Sequence, residues 1–485
     1  MTPPPPGTYL TAARRQRELD ELSHTPVDVL VVGGGVTGCG IALDAASRGL
    51  SVALVEKDDL AFGTSRWSSK MVHGGLRYLA TGDVGLAMES ARERGILMTR
   101  TAPHLLRALP MTFPFSADLT ATDALLVQAG ARAADVLRVA CRTPRSVLPR
   151  PRRLGVAETQ RLVPGVRAKG LRGAMLSWDG HLEDDARLVV ALARTAAGLG
   201  AKILTRVRFG EQGLTDVLTG QSLAYQAKTV VLAIGAWSEG VTPSKGVHVV
   251  LDARTIGSPT ASLTVPVPGE RNRYVFALPH ADGIVHLGLT DDAMDGPLPE
   301  VPVAEESEIA FLLNTFSRGL EVPLHRSDVI GTFAGVRPLV AGAQGRTADL
   351  SRRHSVTLAD GVLTVLGGKL TTYRKMAQDA VDLLTDTPCR TANLPLVGAG
   401  RTGTDRLTRR YGSEAGDVAA SGPLTPVADG VPVLLAELHW GMTAEGALTV
   451  EDLLERRTRL SLVDTWAAAA REAAVSVVEG RNAQA

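Results

Sequence analysis

Gly33-Gly34-Gly35-Val36-Thr37-Gly38 satisfies G-x-G-x-x-G. It lies directly after the run Val27 to Val32 (VDVLVV) and opens a helical pattern from Val36 to Arg48. Such a β-branched run reads as a parallel strand covered on both faces. Gly33 then allows a tight turn, Gly35 lets backbone approach a pyrophosphate, and Gly38 lets the helix pack close to the strand. The helix N-terminus offers a diphosphate free N–H groups and the positive end of its dipole. Gly49 closes the helix and Ser51 to Val55 (SVALV) is a second strand, which completes a βαβ unit. Glu56 ends that strand, 18 residues after Gly38. A carboxylate there can accept hydrogen bonds from both ribose hydroxyls of an adenosine and disfavours a 2′-phosphate, so FAD or NAD is favoured over NADP.

The same grammar recurs along the 485 residues, with interruptions. Charged and apolar residues at helical spacing mark a helix between Gly82 and Thr101. Residues 141–173, rich in Arg, Pro and Gly, read as an excursion from the sheet. Asp184 is a good N-cap for a helix through Ala197, followed by a strand at 201–207 and an apolar run, 229–234, ending in Gly235. Residues 247–333 alternate as short strands of an antiparallel sheet, with a helix at about 304–318. A strand at 362–366, Gly367-Gly368 and a helix from about Thr371 to Leu384 return to the first pattern, and from about 395 the chain is helical. The expected fold is α/β: a discontinuous Rossmann-like FAD-binding domain (about 24–110, 174–245 and 334–395), an antiparallel β-sheet cap (about 111–173 and 246–333) and a C-terminal helical domain (396–485). Residues 1–23 are a tail, proline-rich and disordered at first, then a short charged helix at 11–22 that lies outside the core.

Composition excludes several classes. Lys+Arg (52) and Asp+Glu (51) nearly cancel to +1, so no basic field exists to hold a nucleic acid. The 52 basic residues are 44 Arg and 8 Lys, a skew that reads first as coding bias. The three cysteines form no C-x-x-C pair, which argues against a zinc site or a disulfide framework and for a cytoplasmic protein. No apolar stretch reaches the roughly 18 to 20 residues that cross a bilayer. Surface attachment stays open.

A second segment decides between the dinucleotides. Thr64, Ser65, Ser68, Ser69 and Lys70, then His73, Gly74 and Gly75, put hydroxyls in quick succession before a Gly pair that lets backbone lie against a flat ring. At the far end of the sheet Gly367-Gly368-Lys369-Leu370-Thr371 makes another strand-Gly-helix junction. Reducing a flavin puts negative charge on its N1–C2=O edge, which a helix N-terminus stabilises. NAD has no use for this second junction; FAD does.

The blocks VVGGGVTGCGIALDAASRGLSVALVEKDDLAFGTS, SSKMVHGGLRYL, APHLL, DDARLV, KGVHVV, AGVRPL and GGKLTTYRK run in order over residues 27–384 and resemble the FAD-dependent glycerol-3-phosphate dehydrogenases. These belong to the wider glycine oxidase and D-amino-acid oxidase fold group. The resemblance implies oxidation of sn-glycerol 3-phosphate to dihydroxyacetone phosphate, with hydride passed to FAD and electrons to a membrane quinone. It also implies that Arg77, Tyr78, His248, Arg337, Lys369 and Arg374 contact substrate. His248, Arg337 and Lys369 would carry the chemistry, and Gly33, Gly35, Val36, Thr37, Gly38, Glu56, Thr64, Ser65, Ser68, Ser69, Lys70, His73, Gly74, Gly75, Gly235, Gly368, Lys369, Leu370 and Thr371 would hold the cofactor. A neutral imidazole suits removal of the alcohol proton near pH 7. His248 is preferred over His73, which is expected to pack near the flavin, and His104 reads as structural. Leu289 in LGLTD and Ile234 in IGAW depart from the family pattern. Arg456, Arg457 and Arg459 are either part of a basic membrane-facing patch or a solvated helix face. Peripheral contact with the inner face of the cell membrane and a homodimer stay open. The competing readings are a flavin oxidase of the same fold that uses oxygen or acts on an amino or hydroxy acid, a tRNA-modifying FAD protein, and a non-catalytic flavin binder.

Overall fold

The computed structural model describes residues 7–482 apart from 76–77, 80–81, 118, 271–272 and 341–352. The strand Val27–Val32 sits inside a six-stranded sheet between Ala227–Leu232 and Val52–Glu56, both parallel to it. Val362–Gly367 and Lys202–Thr205 extend the sheet in parallel on either side, and His354–Ala359 adds one antiparallel edge. One face is covered by the helices Val36–Ser47, Asp185–Gly198 and Tyr373–Val381, whose apolar side chains bury Val29, Val31 and Leu54. On the other face lie the helix Ala12–His24 and a three-stranded meander. This corrects the expectation that residues 11–22 stay outside the core. Leu19 and Leu22 are buried against Leu30 and Val55, and Arg15 pairs with Asp216 at 2.5 Å. The helix's charges suggested solvent, but its apolar stripe is sufficient to cap a sheet face.

Among the described residues the second sheet has ten strands, eight along its main path and two paired at its side. It is antiparallel except where Ser262–Pro266 runs parallel to Leu106–Pro114. Its widest pairing joins Val241–Asp252 to Val329–Val340, with Ser244 opposite Arg337 and His248 opposite Phe333. The strand Ala174–Leu182 pairs with Leu106–Pro114 in this sheet too, so the cap sheet reaches beyond 111–173 and 246–333 at both ends. The helix Glu306–Ser317 covers its outer face through Leu312 and Phe316. The opposite face carries Arg337, His248 and His286 and turns toward the nucleotide-type domain: Gly335 meets Trp67 so closely that a Cβ there would be 2.7 Å from the Trp67 Cβ.

The C-terminal helices form their own core around Leu438, Leu453 and Ala470. They are fastened to the rest of the chain by buried carboxylate–guanidinium pairs. Asp59 accepts from Arg456 Nε at 2.6 Å and from both Arg457 Nη atoms at 2.8 Å, and Arg187 and Arg194 reach Glu445 and Glu414. Both sequence readings of the 456–459 arginines are therefore corrected. Arg456, Arg457 and Arg459 are buried, not presented to a membrane or to water.

Candidate active site

The glycine fingerprint is held by backbone contacts that tolerate no side chain. Gly33 adopts φ +116°, and a Cβ on Gly38 would collide with the Gly33 carbonyl. Gly35 caps the helix Val36–Ser47, and Val36 N donates to Ser65 Oγ at 2.9 Å, while Thr37 stands half-buried at the first turn. Glu56 accepts from Gly34 N at 2.6 Å and Asp58 N at 2.9 Å, which ties the end of the second strand to the turn. Burial pushes its carboxyl up from the usual range. This cradle fits FAD: the start of a helix, a turn that only glycine can form, and a carboxylate at the end of the second strand. The loop after it is pinned in the same direction. Thr64 Oγ1 donates to Val336 O at 2.5 Å, Gly74 N donates to Asp179 at 3.0 Å, and Gly75 takes φ +78° under Ala87. Gly235 and Gly368, at φ +63° and +83°, turn the chain at the ends of two adjoining parallel strands, and Leu370 and Thr371 form a 3-10 turn before the helix Tyr373–Val381.

Two clusters of chemistry-bearing side chains form around the 64–75 loop and the second junction. In one, His248 Nε2 lies 2.9 Å from Ser69 Oγ, its ring stacks on Phe333 at 4.6 Å and 8°, and Nδ1 is buried with no partner among the described residues. Burial, with the charges of Lys70 and Arg337, pushes its pKa well below the ordinary histidine value. The imidazole is thus neutral at pH 7, as a base must be. Arg337, on the same sheet face, contacts Ser244 Oγ, Thr290 O and Asp291 Oδ1 at 3.2 to 3.4 Å. In the other cluster Lys369 Nζ donates to Ser90 Oγ at 2.7 Å and sits over the Tyr78 ring at 4.2 Å, while His73 leans on the same tyrosine at 6.0 Å.

The structure does not bring Arg374 to either cluster. It forms a buried two-point pair with Glu93, at 2.7 and 2.6 Å, that joins its helix to Val84–Ile96. Arg77 lies outside the described residues. Lys70 and Ser68 face Asp185 beneath the loop. Sequence reasoning missed Asp291, Ser244, Ser90 and Asp185. The acid that ends LGLTD and the doubled aspartate of DDARLV were the available signals. His104 is buried against Gly398 and Gly412, a packing role as expected.

A model of the FAD dependent oxidoreductase family matches residues 28–374, and a model of the C-terminal domain of alpha-glycerophosphate oxidase matches 389–481. The chain belongs to the FAD-dependent oxidoreductases. Within that family it is 50% identical to glycerol-3-phosphate dehydrogenase 1 of Mycobacterium tuberculosis, over 95% of this chain and 96% of that one. It is 36% identical to glycerol-3-phosphate dehydrogenase 2 of the same organism, over 94% of this chain and 85% of the relative. Among solved structures it matches the glycerol-3-phosphate dehydrogenase of Bacillus halodurans complexed with FAD, with TM-score 0.74 and 25% identity over 96% of this chain and 93% of the other. The sequence resemblance, the α/β architecture with a helical C-terminal domain, and FAD as cofactor are borne out. Two strand-Gly-helix junctions belong to one sheet, and the cap sheet carries the buried His248 imidazole and Arg337 on a single face.

Proposed function

We propose that this oxidoreductase converts sn-glycerol 3-phosphate to dihydroxyacetone phosphate and passes the electrons to a quinone at a membrane surface. The observation that carries the reading is the pairing of a buried neutral imidazole, His248, with a guanidinium, Arg337, on one face of one strand pair. A secondary alcohol next to a phosphate dianion needs both groups: a base for the hydroxyl proton and a fixed cation for the phosphate. The names of the relatives support the same substrate.

FAD, when bound, supplies the acceptor for the hydride that leaves C2. The protein's own residues do the rest. Arg337 offers its planar fork to phosphate, and its contacts to Ser244 and Asp291 fix that fork before substrate arrives. Lys369 and Tyr78 add a second cation and a hydroxyl. His248 takes the proton from the C2 hydroxyl as the C–H electron pair departs. The cap sheet helps keep water from this step: His248 is 1% exposed, and Phe333, stacked on it, is buried.

Membrane contact has support of a different kind. The helix Ala121–Ala140 exposes Leu125, Leu126, Val136 and Val139 on one face, with exposed Arg132 in that stripe and Arg142 and Arg145 just beyond. An apolar stripe edged with arginine lies well in an anionic interface. Among the described residues no helix is long and apolar enough to cross a membrane.

The test is anaerobic reduction of the bound flavin. sn-Glycerol 3-phosphate should bleach its absorbance and glycerol should not, and a short-chain quinone should restore it faster than oxygen does. Bleaching by an amino or hydroxy acid alone would reject the substrate, and faster recovery with oxygen would reject the acceptor. The base is tested by His248→Asn, which should slow reduction and leave FAD content unchanged.

A further inference from the structure

We infer that Lys70 and Asp185 are positioning residues for His248: they lock the loop that hands Ser69 to the imidazole and place an ammonium behind it. This rests on His248 being the base, and the experiment below separates the two claims.

The geometry is continuous from one residue to the next. Asp185 Oδ2 accepts from Ser68 N at 2.9 Å and from Ser68 Oγ at 2.7 Å, and it lies 3.2 Å from Lys70 Nζ. Lys70 Nζ turns back to Ser68 O at 3.1 Å, Lys70 N donates to Ser68 Oγ at 3.0 Å, and Lys70 O accepts from Leu182 N at 2.7 Å. Ser69 therefore sits between two residues held by one carboxylate. Its hydroxyl, 2.9 Å from His248 Nε2, has little freedom left. Lys70 is in the left-handed region at φ +54°, where a non-glycine residue is uncommon and is held by its surroundings.

A second contact reaches the same imidazole. Lys70 Nζ lies over the Phe333 ring at 4.3 Å, and His248 stacks on that ring at 4.6 Å. An ammonium over the ring on which His248 stacks disfavours a second positive charge on the imidazole. The other charged or titratable groups facing His248 are Arg337 from the neighbouring strand and His286 from Ile284–Gly288. Around Lys70 stand Asp185, Asp184 and Arg459, the last also donating to Arg66 O and stacked on Trp67 at 5.1 Å. Burial brings Lys70 itself down to about 8, with the aspartates holding it up. Lys70 is 1% exposed, so its charge acts inside the fold.

Lys70→Met removes the charge and Lys70→Arg keeps it. In the oxidised holoenzyme, titration of isotope-labelled histidine by NMR, with the His248 signal assigned from His248→Asn, should show Lys70→Met raising the imidazole pKa by about one unit. The acid limb of the flavin-reduction rate should move upward with it, and Lys70→Arg should leave both near the parent values. An unmoved imidazole overturns the inference. An imidazole that moves while the rate limb stays put upholds the inference and rejects His248 as the base. If Lys70→Met fails to bind FAD, Ser69→Ala decides: it should lower the reduction rate about tenfold with KM unchanged, and an unchanged rate overturns the inference.

Discussion

Asp59→Asn tests how the C-terminal helices are held. In the parent, one carboxylate, 1% exposed, takes three hydrogen bonds from Arg456 and Arg457 across 397 and 398 residues of chain. Arg456 has other acids near it, Asp452 at 2.5 Å and Glu455 at 2.6 Å. The Arg457 side chain bonds to neither of these; its remaining bond is to the Glu445 carbonyl at 3.0 Å, and the Asp452 and Glu445 carboxylates act on it only at longer range. Asparagine keeps the shape and removes the charge, so a fully buried guanidinium loses its carboxylate. Breaking a buried pair this way costs about 3 to 5 kcal/mol. In a domain of this size about 2 °C of melting temperature corresponds to each kcal/mol, so the transition should fall by about 6 to 10 °C. Differential scanning calorimetry of the holoenzyme measures it.

The pH dependence fixes the sign. The two guanidiniums hold the Asp59 carboxyl well below the usual carboxylate range, against the opposing effect of burial. A folded pKa below the unfolded value of about 3.9 means the stabilisation is complete above that value and lost as pH falls toward the folded one. Parent and variant should therefore differ most near pH 7 and converge only below about pH 4. Adding Arg457→Met to Asp59→Asn removes the stranded charge and should recover part of the loss. A variant that melts within 2 °C of the parent, or a double variant no better than the single, would refute the account.

Arg337→Lys keeps a charge and loses the fork, so KM for sn-glycerol 3-phosphate should rise about tenfold with a smaller change in the reduction rate. Stopped-flow reduction at varied substrate reads both, and an unchanged KM would remove Arg337 from the phosphate. Gly38→Ala drives a Cβ into the Gly33 carbonyl, so purified protein should contain little FAD; full yellow occupancy would show the turn to be more yielding than described. Leu126→Asp with Val136→Asp should weaken sedimentation with anionic vesicles while turnover with a soluble acceptor stays at the parent level; sedimentation unchanged would exclude this helix as the contact.

What was legible in the sequence is what local chemistry encodes. The turn at 33–38 must be glycine because neighbouring backbone leaves no room, and Asp184 announces the helix it caps by accepting from Ala186 and Arg187. The helix Ala121–Ala140 went unread even though Thr120 accepts from Asp123 N at its start, because its apolar stripe faces outward and so matches no buried neighbour. Residues 174–182, placed in the FAD-binding domain with no strand recognised there, pair instead in the cap sheet, because their partner, Leu106–Pro114, lies some seventy residues upstream, across a helix that the sequence reading lacked.

The site divides along the same line. Residues in unbroken blocks could be named as candidates; the contacts that hold them, made by remote segments, could not. Asp185 grips Ser68 from 117 residues away, and Arg374, inside a promising block, is committed to Glu93, 281 residues upstream. The arginine excess takes on a structural meaning here. Arg187, Arg194, Arg374 and Arg457 each use the planar fork to satisfy both oxygens of a buried carboxylate, which a lysine cannot do at once. Lys70 occupies the opposite situation, a compact charge over a ring with one aspartate beside it. At position 70 the contacts call for a cation over a ring with one carboxylate beside it, not for a two-point fork, so lysine suffices there.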